Sequence, residues 1–319
     1  MPLREKLLID RIRRAAARRG QLAGKGIGDD CAVLPLPRGH EALVTTDFSL
    51  EGIHFRREWH PADSVGHRCL ARGLSDIAAM GGIPLAAFLS LALPPDLPQS
   101  WVDEFLAGLF RLATRFSVSL AGGDTAQSPA GILADIMVLG SVPRGKAILR
   151  SSARPGDFLY VTGTLGGGAV VALNQLRNGE KLRPKSFPKH FYPAPRVDVG
   201  QFLREKKLAS AMIDISDGLS TDLQHICEES DVGAVVYAAS LPADADEDGV
   251  TLALHGGDEY ELLFTAPPNR AIPMEIAGVR ITRIGEILRG HELRLASRDG
   301  RTEILKPAGW EHFGKPHQH

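Results

Sequence analysis

The chain has 319 residues, 44% hydrophobic and 24% charged, with 37 basic against 38 acidic side chains and a net charge of −1. That length holds two domains with substantial cores, and the balanced charge gives no overall pull toward nucleic acid or an anionic membrane. No apolar run approaches the ~20 residues that span a bilayer, and the cysteines Cys31, Cys69 and Cys227 have no paired or zinc-ligand spacing, as expected of free thiols in a reducing cytoplasm.

The opening MPLREKLLIDRIRRAAARRG is basic and lacks the continuous apolar core of a signal peptide. Glu5 and Asp10 argue against a transit peptide, and Leu3, Leu7, Leu8 and Ile12 fit one face of a helix whose arginines lie on the wet side. GIGDD (26–30) sets two carboxylates, Asp29 and Asp30, just before a short run read as a strand that contains Cys31. EALVTTDFSL (41–50) is a strand rich in β-branched residues. SVGHRCLARGLSDIAAMGG (64–82) has helical spacing and stops at a glycine pair. LAAFLSLALP (85–94) is an apolar strand, and SWVDEFLAGLFRLATRFS (100–117) a helix opened by Ser100. VSLAGGDT (118–125) and ILADIMVLGSV (132–142) are strands.

The polar turn RSSARPGD (150–157) is the candidate boundary between domains at 1–149 and 150–319. Beyond it, FLYVTGTLGGGAVVALNQL reads as strand, glycine-rich loop and helix, and residues 181–200 form a proline-rich connection. SAMIDIS (210–216), GLSTDLQHICEES and GAVVYAAS then read as strand, helix and strand. Helices and strands mix in both halves, so the fold class is a two-domain α+β or α/β protein.

Two phosphate-loop look-alikes carry little. GSVPRGKA (140–147) lacks the final Ser or Thr hydroxyl, because Ala147 stands there, and a poor helix follows it. GTLGGG (163–168) could offer backbone N–H groups to a phosphate or be a tight turn, and no acidic residue marks a ribose at the expected distance.

Aspartates beside glycine, serine or threonine recur in GIGDD, TTD (45–47), SDIAAMGG (75–82), AGGDT (121–125), DISDG (214–218) and HGGDEYEL (255–262). Taken singly, each is most simply a turn or a helix cap. Together they are a set of hard oxygen donors, which select magnesium or calcium over zinc. Calcium modules concentrate ligands in one short loop, whereas acids dispersed along the chain suit magnesium held between protein and a phosphate-rich ligand. A nucleoside triphosphate brings about four negative charges, and each close pair of like charges costs several kcal/mol in a protein cleft. Aspartates therefore tolerate it only with several divalent ions between them.

GIGDDCAVL, TTDFSLEGIHF, SDIAAMGG, AGGDT, LRSSARPGD, DISDGLSTDL and GGDEYELLFT occur in this order from residue 26 to about 264. Together they resemble the thiamine-monophosphate kinase family, part of an ATP-binding group with aminoimidazole-ribonucleotide synthetase, selenophosphate synthetase and a hydrogenase-maturation dehydratase. The resemblance implies an N-terminal α+β domain that binds ATP and magnesium and pairs with a second subunit in a dimeric β-barrel, followed by a C-terminal α/β domain. It implies a cytoplasmic homodimer that uses ATP and several magnesium ions to convert thiamine monophosphate to thiamine diphosphate. Metal ligands carried over are Asp30, Thr46, Asp47, Asp76, Asp124, Asp214 and Asp217. Nucleotide contacts are Thr45, the Gly122–Gly123 backbone, Arg150 and Ser216, and substrate contacts are His54, Asp258 and Trp310. Asp29 is not carried over as a ligand; its expected part is to orient Asp30 or hold a water. The order Asp258–Glu259 departs from the Glu-Asp or Asp-Asp expected of relatives.

The acceptor, a phosphate monoester, is already an ionised nucleophile, so no general base and no covalent nucleophile is expected; the barrier is repulsion between anions. Within the superfamily, a selenophosphate synthetase would carry a reactive early cysteine in a glycine-rich segment, and the hydrogenase-maturation relative a C-terminal one, where this chain reads KPHQH. A purine-pathway synthetase fits the GGDEYELLF and GWEHF segments less well. A calcium-stabilised binding protein without ATP is the reading from another class.

Overall fold

The computed structural model describes residues 5–17, 27, 31–32, 34–166, 169–243, 247–297 and 299–310. The chain divides into two compact units, one of residues 1–147 with 181–197, the other of residues 148–180 with 198–319. Asp29 and Asp30 lie outside the described residues.

In the first unit, α1 (Glu5–Ala17) is followed by β1 (His40–Leu50), α2 (Ala62–Ala79), β2 (Ile83–Leu93), α3 (Gln99–Arg115), β3 (Ser119–Gln127) and β4 (Leu133–Pro143). The strands form one open sheet in the order β1-β4-β2-β3, antiparallel except where β2 and β3 run parallel. Leu70, Leu74 and Ile77 of α2, Phe105 and Leu109 of α3, and Ile136 and Val138 of β4 are all at most 2% exposed and make this unit's core. The glycine pair ends α2 through a bond from the Gly82 N–H to the Ile77 carbonyl, a six-to-one closure that satisfies a terminal carbonyl.

Two local expectations change. Cys31 is exposed, and residues 31, 32 and 34–37 are outside any strand. Two prolines, at 35 and 37, remove the N–H donors that strand pairing needs. α3 starts before Ser100, with Pro98 at its N-cap and no side-chain cap, because the fixed proline φ of −63° already sets the entry.

In the second unit, β5 (Phe158–Thr162) leads to α4 (Ala169–Arg177), and the chain returns to the first unit for α5 (Pro188–Phe191). It continues with α6 (Val197–Glu205), β6 (Ala211–Ile215), α7 (Leu219–Ser230), β7 (Gly233–Tyr237) and α8 (Glu247–His255). The final strands are β8 (Glu261–Ala266), β9 (Glu275–Ile276), β10 (Val279–Leu288), β11 (Leu293–Ala296) and β12 (Thr302–Ile304). They build a mixed sheet ordered β12-β11-β7-β10-β5-β8-β6, with β9 paired to β10. Leu159, Ile213, Leu223, Ile226, Val236, Leu263 and Ile284 form its core. β6 and β8 are buried along their whole length, so DISDG and HGGDEYEL sit at the ends of two adjacent, rigid core strands.

The proline-rich segment groups with the first unit because α2 and the loop before it hold it. The His60 and His190 Nε2 atoms lie 2.9 Å apart, the His67 ring bonds the Pro193 carbonyl at 2.7 Å, Arg68 donates to the His190 carbonyl, and the Tyr192 hydroxyl donates to Asp63. No described helix is long and apolar enough to cross a membrane.

Candidate active site

In the first unit, β1 alternates Leu43, Thr45, Asp47 and Ser49 toward one face with Val44, Thr46 and Phe48 on the other, where Val44 is 61% and Phe48 53% exposed. The Thr45 hydroxyl donates to the Asp76 carboxylate near the end of α2, and Arg72 reaches Asp47 at 3.4 Å. Thr45, Asp47 and Asp76 thus share a neighbourhood, whereas the Thr46 side chain points the other way.

Asp124 stands on β3, at the opposite edge of the sheet from Asp47 on β1. Two strands intervene, about 14 Å at the usual interstrand spacing. A bulge against β2 precedes it, and Gly123 (φ +144°) crosses at a point where a Cβ would lie 1.8 Å from the Leu89 carbonyl oxygen. Only glycine passes there. The Asp124 carboxylate caps its neighbour's N–H, at 2.8 Å from Thr125 N. His54 closes the turn after β1 and accepts the Leu50 N–H on Nδ1 at 2.9 Å, so its neutral ring carries the proton on Nε2. It lines a small recess with Ser49, Phe55, Val65, Arg68 and Arg72.

In the second unit, Asp214 is the penultimate residue of β6 and 4% exposed; Ser216, Asp217 and Gly218 (φ +122°) make the turn into α7. The N–H groups of Ser216, Asp217 and Gly218 all donate to one oxygen of Asp222, at 3.1, 3.2 and 3.0 Å. Burial pushes the Asp222 carboxyl up to about 8, with the charges of Asp214 and Asp217 adding to it and the N–H bonds of Gly218 and Asp217 opposing it. The carbonyls of Ser216 and Asp217 accept the N–H groups of Asp258 and Trp310, each at 2.8 Å. Asp258, in left-handed backbone (φ +60°), accepts the Tyr260 hydroxyl at 2.6 Å, and Trp310 is 43% exposed. Arg150 is exposed in a 3-10 turn tied by its carbonyl to the Ser230 hydroxyl.

Among the described residues, one set of three metal-ligating side chains has its atoms within 4.8 Å: Asp217, Asp222 and His225. The other predicted ligands that are described do not form such a set. Magnesium bound to phosphates takes only one or two carboxylates per ion and fills its shell with phosphate oxygen and water, so dispersed single ligands suit it. The predicted ligands are all oxygen donors, which fits a hard cation, while His225 adds a nitrogen beside Asp217.

The family model for the AIR synthase related protein N-terminal domain matches residues 28–142, and that for the C-terminal domain residues 154–297. Thiamine-monophosphate kinase of Escherichia coli (strain K12) is 40% identical over 307 residues, 91% of this chain and 92% of that protein. The chain belongs to the thiamine-monophosphate kinase family. The family's enzyme in Bacillus subtilis (strain 168) is 32% identical over 90% of this chain and 93% of its own. Among solved structures, thiamine-monophosphate kinase from Stenotrophomonas maltophilia K279a superposes with a TM-score of 0.81 at 36% identity, over 94% of this chain and 98% of that one. AaThiL complexed with AMPPCP and TMP does so with a TM-score of 0.76 at 31% identity, over 98% and 99%.

Against this family background, three features were not legible as site residues in the sequence. Asp222 lies within the quoted DISDGLSTDL, but its role depends on three main-chain groups folding back onto it. Arg72 hides within the apolar periodicity of α2, 9% exposed. Glu259, 5% exposed, turns inward and accepts the Gly166 N–H at 2.7 Å. That bond bears on GTLGGG as well. The described amides at Gly163, Leu165 and Gly166 donate to Arg280, Pro242 and Glu259, so they are taken up within the protein; Gly167 and Gly168 lie outside the described residues. In the pair, Asp258 therefore faces the DISDG turn while Glu259 braces the core side.

Proposed function

We propose that this chain transfers the γ-phosphoryl group of ATP directly to the phosphate of thiamine monophosphate, giving thiamine diphosphate and ADP. One observation carries the reading: the turn bearing Asp214, Ser216 and Asp217 is hydrogen-bonded through its own carbonyls to Asp258 and Trp310. Residues assigned to metal and nucleotide thus adjoin residues assigned to the thiamine.

Asp30, Thr46, Asp47, Asp76, Asp124, Asp214 and Asp217 would hold several magnesium ions. When bound, those ions neutralise charge on the triphosphate and on the acceptor phosphate. The chain's own residues then position. Thr45 orients Asp76, and Arg72 orients Asp47. Gly122 and Gly123 let the main chain approach the nucleotide without side-chain obstruction, Ser216 donates to a phosphate oxygen, and Arg150 forks onto the phosphates. His54, Asp258 and Trp310 hold the acceptor, whose cationic thiazolium favours the indole face. No side chain needs to take a proton from an acceptor that is already ionised, and transfer proceeds in line through a loose transition state. The buried thiols Cys69 and Cys227, pushed up to about 12, stay protonated and take no part.

As a functional division we take residues 1–149 for ATP and magnesium binding and for dimerisation, and 150–319 for the C-terminal α/β domain. The open edge at β1 and the exposed Val44 and Phe48 support a barrel shared between two copies in a cytoplasmic homodimer. Incubation with ATP, magnesium and thiamine monophosphate should yield thiamine diphosphate, with unphosphorylated thiamine a poor acceptor. Failure to form the diphosphate, or trapping of a phosphorylated enzyme, refutes the mechanism.

A further inference from the structure

The DISDG turn has its polar groups sorted by side. Its N–H groups at Ser216, Asp217 and Gly218 point inward, onto a single oxygen of Asp222. Its carbonyls point outward: Ile215 accepts from Tyr260, Ser216 from Asp258 and Asp217 from Trp310, all at 2.8 Å. Successive inward N–H groups make a concavity that draws an acceptor oxygen, and here the chain supplies that oxygen itself, from Asp222. An ordinary helix cap covers donors of the first turn. Asp222 reaches past the start of α7 at Leu219 to the amides of three residues that precede the helix.

The neighbouring segments are fitted closely to the outward side. A Cβ on Gly257 would lie 2.7 Å from the Ser216 oxygen, and one on Gly309 would lie 2.2 Å from the Asp217 oxygen. Rotation of these peptide units would break the bonds to Asp258 and Trp310 together.

We propose that Asp222 is a positioning residue for phosphoryl transfer: by holding three amides of the DISDG turn inward, it fixes the carbonyls that carry Asp258 and Trp310, and so keeps the nucleotide side and the thiamine side of the site in register. This rests on the roles given above to Asp214, Ser216, Asp217, Asp258 and Trp310. Asp222 itself is 2% exposed and is given no direct contact with either substrate in this proposal.

The test compares Asp222→Ala, which removes the acceptor, with Asp222→Asn, which keeps an acceptor oxygen of the same shape; Asp222→Ser, polar but too short, replaces the alanine variant if that does not accumulate folded. Hydrogen exchange over residues 256–261 and 308–310 is read alongside KM for ATP and for thiamine monophosphate. In the alanine or serine variant, exchange at Asp258 and Trp310 should accelerate at least tenfold and both KM values should rise tenfold or more. The asparagine variant should recover most of each. A merely structural role would lower the folded, active fraction while leaving both KM values alone. Unchanged exchange overturns the proposal at Asp222. Faster exchange with either KM unmoved overturns the coupling. Asp217→Asn and Trp310→Ala in the otherwise native chain check the underlying roles: if neither shifts a KM, the proposal falls through the site reading and not through the Asp222 bonds.

Discussion

Thr45 and Asp76 illustrate what a single contact contributes to such a site. A hydrogen bond to a charged group contributes about 1.5–3 kcal/mol when well shielded, and nearer 1 kcal/mol here, where Asp76 is only half-buried. Thr45→Val should therefore lower stability by about 1 kcal/mol, while raising the magnesium concentration for half-maximal activity several-fold. A titration of rate against magnesium, beside a denaturant curve, separates the two effects; an unchanged magnesium midpoint would remove Thr45 from the site. Gly309 is a second residue-scale case. Its replacement by alanine places a carbon against the Asp217 carbonyl and must displace the neighbouring Trp310. We expect KM for thiamine monophosphate to rise well above KM for ATP in Gly309→Ala, measured by steady-state kinetics at saturating co-substrate.

The segment at 181–197 and the strand β1 make predictions at the scale of elements. His67 donates to the Pro193 carbonyl from within the first unit. Burial holds its pKa below the ordinary 6.5, with Arg111, Arg68 and Arg115 lowering it further and the Pro193 bond opposing. The unfolded chain therefore takes up this proton first. The stabilisation is complete above pH 6.5 and is lost as pH falls below 6.5 through the folded-state pKa. His255, also depressed by burial, acts in the same direction. Thermal unfolding followed from pH 8 to 5 should show this acid loss, and His67→Gln should flatten it; an equal slope in the variant would show that His67 is not responsible. On β1, Phe48→Asp puts a charge on the exposed face without touching the buried face that carries Asp47. Sedimentation should find wild type as a dimer and the variant shifted toward monomer. A monomeric wild type would refute the shared barrel.

For the molecule as a whole, the proposed ligands are spread over both units, and the one described trio of metal-ligating side chains that lie together, Asp217, Asp222 and His225, contains only one of them. Metal and nucleotide should then bind as one entity. A ligand present at a hundred times its Kd stabilises by about 2.7 kcal/mol. ATP with magnesium should raise Tm, ATP with a chelator should not, and magnesium alone should do little. Protection by calcium without nucleotide would favour a binding protein over a kinase.

Much of this was legible in the linear chain. The periods of β1, α2, β2, α3, β3 and β4 are set by apolar spacing, which local geometry alone dictates, and the seven motifs are local strings whose order identifies the family. Sequence also determined the donor chemistry, since oxygen ligands select a hard cation wherever they lie. Three things waited for tertiary structure. Residues 181–197 belong with the first unit because of side-chain bonds to residues more than a hundred positions away. Thr46 parts from Asp47 because a strand alternates its faces. The DISDG turn meets Asp222 on its amide side and Asp258 and Trp310 on its carbonyl side because backbone amides and carbonyls, which every residue carries alike, acquire their partners only when separate segments meet.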